Sequence, residues 1–384
     1  EQEYVHKRKQ IVLEALQNLG ANCTNNVPHI ALLGSGGGQR AAVGLMGTLY
    51  QMEKEGLLDT LLYLGGVSGS TWSMTSLYND PEWSSNMDRA VSRLSGPGVE
   101  LEQVLAWLNE RAKDEDFSLT DIWGALTSAG VMKQVTGNLS DEADRNGSNP
   151  YPIYNAIEKD WKWFELSPHE AGFTELGFFI ETSLLGSKFR TENLFKFNKR
   201  SPCIAILYLQ SLLLASLILW LVLTHFPFLN NGNVSHFILL FRLCSFDCPC
   251  LTFNRQDLSN YNDSSLVYFS GFLPEHESCG TEVKKPFPEI DDKILEERDW
   301  PKDCYVFEGK EKEPTIIFMP FFNRRNCKDA EEVKAKMDEF STFQRPYNKE
   351  QIESLLEIVK ANVKNNKGTL LKEINKAVHR REKK

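Results

Sequence analysis

The stretch from Ile30 to Ser73 narrows the fold of this chain further than any other. It reads IALLGSGGGQRAAVGLMGTLYQMEKEGLLDTLLYLGGVSGSTWS. An apolar run from Ile30 to Leu33 ends in the glycine-rich segment Gly34 to Gly38. A helix-like stretch follows, and a second apolar run, Leu61 to Leu64, breaks into Gly65-Gly-Val-Ser-Gly-Ser70. The expected order is strand, glycine loop, helix, strand, and then a serine that opens another helix. That last break is the pattern G-x-S-x-G with Ser70 in place of the final glycine. Small neighbours are needed there because the serine sits on a sharp strand-to-helix turn. A side chain beside it would collide with the strand or the helix.

A lone G-x-S-x-G is weak evidence, and its surroundings are what give this one weight. Acyl transfer needs a nucleophile and N–H donors aimed at the developing oxyanion. Ser68 is the candidate nucleophile, and Gly36, Gly37 and Gly38, opening a helix, are the candidate donors. The competing interpretation is a nucleotide-binding loop. It fails the dinucleotide pattern, which requires glycine where Gln39 stands, and no Gly-Lys-Ser/Thr ending makes it a phosphate loop. The stretch favours a hydrolase.

A chain of 384 residues, 41% hydrophobic and 25% charged, has the composition of a globular protein with a sizeable core. Its net charge of −9 argues against dedicated nucleic-acid binding. The 8 cysteines are scattered, which suggests free thiols in a reducing compartment. Cys244, Cys248 and Cys250 cluster, but no second ligand pair completes a zinc site. The chain opens on Glu1 and reads as a fragment. Its first twenty or so residues mix Val5, Ile11, Val12, Leu13, Leu16 and Leu19 with charges, as an amphipathic helix does, and contain no signal-peptide core.

Further along, Thr71 to Leu77 continues the helix that the serine opens, and residues 79–100 read as turn-rich and polar. Leu101 to Lys113 is an expected amphipathic helix, and Phe117 to Trp123 a helix start with Ser118 or Thr120 as cap. Residues 137–149 form a loop before two aromatic-rich strands, Tyr151 to Tyr154 and Trp161 to Leu166. From Glu350 a helix is expected, with Ile352, Leu355, Leu356, Ile358, Val359 and Val363 on one face. The basic tail His379 to Lys384 suits either an anionic lipid surface or the negative end of that helix's dipole.

The ordered runs LGSGGGQRA, YLGGVSGSTWSM, TDIWG, YPIYNAI, WFELSPHEAGF and GSKF carry a resemblance. Together they resemble the catalytic domain of the group IV cytosolic phospholipase A2 family, in particular its gamma-type members, which lack the calcium-binding C2 domain. The resemblance covers residues 5–195 and returns over 283–375 through KPFPE, DCYVF, PTIIF and STF. It implies an α/β, patatin-like fold with a mixed central sheet flanked by helices, here incomplete. It also implies a phospholipid acyl-ester hydrolase with lysophospholipase and transacylase side activities, working through a Ser/Asp dyad. Ser68 matches the family's nucleophile, Gly36, Gly37 and Gly38 its oxyanion loop, and Arg40 an arginine facing the substrate phosphate, a role suited to a planar guanidinium. No metal or cofactor is implied. The implied substrate is a glycerophospholipid or lysophospholipid at a membrane surface, and the implied location is cytoplasmic, at the periphery of intracellular membranes.

The pattern breaks in the middle of the chain. The family's catalytic aspartate stands in V-D-[AS]-G-L, which this sequence lacks. Asp247, in a stretch (Phe246 to Asn254) that faintly resembles the family's D-x-G-L-T-F-N but has one extra residue and no glycine, is the remaining candidate base; Asp257 and Asp263 lie in a polar loop. Neither His169, in a segment that resembles a structural part of the family, nor His225 or His236 makes a convincing triad partner. Residues 203–224 carry no charge and by hydropathy alone would span a bilayer. A span there would separate the halves of one sheet, so the preferred interpretation is that residues 201–282 are not native family sequence, as a retained intron would be. The expected organisation is thus 1–200 and 283–384 as two parts of one catalytic domain around an atypical 201–282 segment. The alternative function is a lipid-associated pseudoenzyme that has lost its base.

Overall fold

A computed structural model describes residues 2–35, 37–113, 147–157, 163–174, 176–185, 188–190, 193–196, 266–270, 293–310, 313–341 and 346–383, with a few isolated positions between them. Gly36, Asp247, the cysteine cluster, Ser118, Thr120 and the apolar residues 203–224 lie outside the described residues. Among the described residues, no helix is long and apolar enough to cross a membrane.

The chain begins with helix α1 (Gln2–Asn18), followed by strand β1 (Ile30–Gly34) and helix α2 (Gly38–Lys54). Strand β2 (Tyr63–Val67) leads into α3 (Gly69–Tyr78), α4 (Met87–Ser95) and α5 (Leu101–Arg111). Four strands follow: β3 (Tyr151–Ile157), β4 (Trp163–Leu166), β5 (Glu170–Phe173) and β6 (Phe178–Glu181). A small hairpin, β7 (Lys188–Arg190) with β8 (Asn193–Lys196), stands apart from the main sheet. After it come β9 (Leu266–Ser270), β10 (Tyr305–Phe307), β11 (Thr315–Met319), α6 (Ala330–Glu339) and the long α7 (Lys349–Glu382).

The main sheet has 9 strands in the order β10-β11-β9-β1-β2-β3-β4-β5-β6. Its centre is parallel, from β11 through β9, β1 and β2 to β3, and both flanks are antiparallel. This is a mixed α/β sheet. The central strands behave as parallel strands covered on both faces do, since every residue of β1 and of β11 is buried. Strand β9, which falls within residues 201–282, occupies the position between β1 and β11.

Strand β2 begins two residues later than the apolar run Leu61 to Leu64 suggests, and it continues through Gly65 and Gly66 to Val67. A 3-10 turn over Leu58–Thr60 delays its start. Two glycines are poor strand formers alone, but here β1 pairs on one side and β3 on the other, so the ladder supplies what the side chains do not. Residues 79–100, expected as turns, contain α4. Asn86 caps it by accepting the Arg89 N–H, and Met87, Ala90, Val91 and Leu94 bury one face at helical spacing.

Polar anchors hold the outer helices. Arg8 of α1 is fully buried, and its guanidinium donates to the carbonyls of Leu61 (2.9 Å), Leu58 (3.4 Å) and Ser148 and to Asp59 Oδ1 (3.1 Å). Helix α7 starts with a capping box between Asn348 and Gln351 and buries the stripe Ile352, Leu355, Leu356, Val359 and Val363. The buried Asn362 side chain donates to the carbonyls of Pro320 (3.2 Å) and Phe321 (2.9 Å). Its oxygen accepts from Asn323 (3.2 Å) and Asn326 (3.1 Å). The basic tail folds back on the protein: Arg380 donates to Thr315 Oγ1 (3.2 Å) and Arg381 to Asn26 Oδ1 (2.8 Å).

Two stability predictions follow from this framework. Asn362→Ala strands donors and acceptors in the interior, and urea unfolding should show a loss of about 2–3 kcal/mol. His29, just before β1, is buried, and burial first, then the charges of Lys9 and Arg381, push its pKa down from 6.5 to about 3. The unfolded chain therefore binds a proton below pH 6.5 that the folded chain refuses. Stability present above that pH should fall on acidification by up to about 1.4 kcal/mol per pH unit, and His29→Gln should flatten that slope in pH-dependent denaturation.

Candidate active site

The parallel strands end in line. Gly34 of β1 is level with Gly66 of β2 and with Ser270 of β9, and Ser270 is level with Met319 of β11. The carboxyl edge of a parallel sheet is where open α/β folds place their ligands. Both glycine-rich turns of the sequence emerge at this edge.

Ser68 stands one residue past β2 and at the start of α3, with φ 55 and ψ −133, and it is the one non-glycine residue of positive φ among those described. A side chain in this region costs about 1–3 kcal/mol and persists only where its surroundings hold it. The residue is half-buried. Its carbonyl accepts the Thr71 N–H at 3.0 Å and the Thr71 hydroxyl at 2.6 Å. Its own hydroxyl is not used to cap α3.

Gly69 explains why the strain is tolerated. A Cβ built on it would lie 1.9 Å from the Gly38 carbonyl oxygen, so the two turns meet backbone to backbone. Gly38 has φ 66, a left-handed conformation in which glycine carries no side-chain penalty. Gly37 precedes α2 without capping it by a side chain, as Ser68 precedes α3. By contrast, α4, α6 and α7 are each capped by an asparagine or aspartate side chain. Two helices therefore converge on one point with no side-chain acceptor at their amino ends, the arrangement that suits an anionic group.

The structure brings Ser68, Gly37 and Gly38 together, whereas Gly36 and Asp247 lie outside the described residues. Arg40 is in the first turn of α2 and is buried, with a guanidinium nitrogen 3.5 Å from Met337 Sδ. The Tyr347 phenol is pushed up to about 12 by burial, with the Arg40 charge acting in the opposite sense. The Tyr347 N–H also donates to Gln39 Oε1 at 2.7 Å. Tyr347, just before α7, is thus fastened to the first turn of α2, a contact that no local pattern in the sequence announces.

His169 binds at the other end of the strands. Its Nδ1 is 3.0 Å from the Tyr151 hydroxyl, and Tyr151 pairs with Tyr63 at the amino end of β2. His29 also precedes the strands. Neither reaches the edge that carries Ser68. Among the described residues no group of His, Cys, Asp and Glu forms a metal site. One buried polar residue beside Ser68 escapes sequence reading: Asn155 on β3, level with Val67, whose signal was a lone amide inside the apolar run YPIYNAI.

Known proteins resemble this chain in sequence and in fold. The family described as lysophospholipase catalytic domain matches residues 30–206, from the first residue of β1 onward. Human cytosolic phospholipase A2 zeta is 40% identical over 215 residues, which is 49% of this chain and 25% of that protein. Human cytosolic phospholipase A2 gamma is 37% identical over 205 residues, 50% of this chain and 38% of that protein. The matched region thus amounts to between 25% and 38% of the length of these relatives. In fold, the chain is similar to human GIVD cytosolic phospholipase A2 solved with methyl gamma-linolenyl fluorophosphonate. The TM-score is 0.72 over 99% of this chain and 64% of that one, at 22% identity. Over residues 30–206, which include Ser68 at the turn after β2, the chain is similar to the lysophospholipase catalytic-domain family and to the cytosolic phospholipases A2 zeta and gamma.

Proposed function

We propose that this chain is a phospholipid acyl-ester hydrolase of the phospholipase A2 and lysophospholipase type, with Ser68 as its nucleophile. The observation that carries the reading is the strained backbone of Ser68, held at the carboxyl edge of the sheet by the contact between Gly69 and Gly38. In this reading the Ser68 oxygen attacks the ester carbonyl carbon, and its proton passes to a base and then to the departing lysolipid oxygen. Water afterwards releases the fatty acid from the acyl-serine. N–H groups of the Gly36–Gly38 turn hold the oxyanion, and Arg40 serves the substrate phosphate. Asp247 is the proposed base. The acyl-serine route calls for no metal at any step, so turnover is expected to be calcium-independent.

The substrate is a lipid ester, so the reading includes work at the surface of intracellular membranes. It also treats residues 1–200 and 283–384 as one catalytic domain, which is supported by the packing of α7 against α2 and by a single sheet in which β9, from residues 201–282, joins β11 to β1. A second reading, the pseudoenzyme, is favoured by one observation: the sequence contains no V-D-[AS]-G-L. Removing the base from a nucleophile–base unit costs several orders of magnitude in rate.

An alkyl fluorophosphonate should label the folded chain at Ser68, read by peptide mass spectrometry, and Ser68→Ala should abolish the label. Absence of label on the folded wild type would sink the proposal. Label without release of fatty acid from phospholipid vesicles would instead favour the pseudoenzyme. Gly69→Ala must displace the Gly38 carbonyl. Labelling should be lost and thermal unfolding should show a destabilisation of about 1–3 kcal/mol.

A further inference from the structure

Asn155 is a buried amide in a strand otherwise made of aromatic, aliphatic and proline side chains, with a fractional exposure of 4%. Burying a carboxamide is unfavourable unless its N–H groups find acceptors. Here both acceptors are backbone carbonyls. Its Nδ2 donates to the Gly66 oxygen at 3.3 Å and to the Ile153 oxygen at 3.1 Å. Gly66 belongs to β2 and Ile153 to β3, so one side chain bridges the two strands.

The location of that bridge matters. In the parallel ladder Asn155 is level with Val67, the last residue of β2, and the next residue is Ser68. The turn is held on its far side by Gly69 against Gly38. On its near side the strand ends in Gly65, Gly66 and Val67, and two of these bring no side chain to pack. A strained φ at Ser68 would relax if the strand before it were free to shift. Asn155 ties down the carbonyl two residues upstream of the strain.

We infer that Asn155 is a positioning residue for Ser68, keeping the end of β2 in the register that the strained turn requires. The inference rests on Ser68 being the nucleophile. It adds to that reading a residue which touches neither substrate nor the reacting atoms.

The test uses the full chain and an alkyl fluorophosphonate, with the maximal inactivation rate constant and the half-saturating concentration measured separately. Asn155→Ala should lower the maximal rate about tenfold or more, with the half-saturating concentration unchanged. A merely structural loss would instead reduce the fraction of chain that labels and leave the rate constant of the folded fraction at its wild-type value. That result would overturn the inference. Asn155→Asp keeps the shape, but its carboxylate has no proton to donate. Its rate relative to wild type should be low at alkaline pH and should recover as acidification restores one donor. A ratio that stays flat with pH would also overturn the inference, and this variant answers the question if Asn155→Ala fails to fold. An unlabelled wild type is a different result: it removes the nucleophile reading and this inference with it.

Discussion

The backbone of Gly69 lies so close to the Gly38 carbonyl that no side chain fits between them, and the architecture of the site follows from that contact. Gly38 begins α2 and Gly69 begins α3, so the contact joins the amino ends of two helices that also pack against each other. Helix α2 in turn packs against α4 and α7, which extends the arrangement to the C-terminal part of the chain. Ser68 is caught in the middle. Its positive φ is not an independent property of a serine; it is what remains when the strand before it and the glycine contact after it are both satisfied.

The described helices begin in two ways, with a side-chain cap or without one, and α5 at Glu100 lacks one as α2 and α3 do. The outer helices α4, α6 and α7 are finished by side chains, namely Asn86, Asp329 and the Asn348–Gln351 box. Those bonds satisfy donors that would otherwise face water. Helices α2 and α3 begin at Gly37 and Ser68 with no side-chain bond of this kind. The stability given up there is offset by burial, since every residue of α3 and most of α2 lie in the core. Away from the site, Arg8 and Asn362 do comparable work by different means, each gathering several backbone carbonyls or amides around one buried polar group.

Several elements were legible in the sequence because their signals are local. Helices α1 and α7 were expected from apolar residues at helical spacing, and the interior positions Val12, Leu16, Leu355 and Val359 are those the spacing selects. Strand β1 was legible as an apolar run closed by glycine. Other features had weaker or no local signals. Helix α4 was hidden in a polar segment whose four apolar residues carry its whole buried face. The length of β2 depended on two neighbouring strands, one of them from residues 151–157, far along the chain. The hairpin of β5 and β6 was not foreseen at all, because its short strands show little alternation.

What the sequence determined by itself was the form of the turn: glycine, serine and glycine in an order that permits a sharp strand-to-helix turn, a matter of local backbone sterics. What only the tertiary structure decided was which groups surround that turn. It placed Asn155 beside Val67, set Met337 against Arg40 and Tyr347 against Gln39, and put His169 with Tyr151 at the opposite end of the strands. Steric rules act between neighbours in the chain and can be read from a few letters. Strand register and the folding back of a distant segment depend on partners that no window of sequence contains.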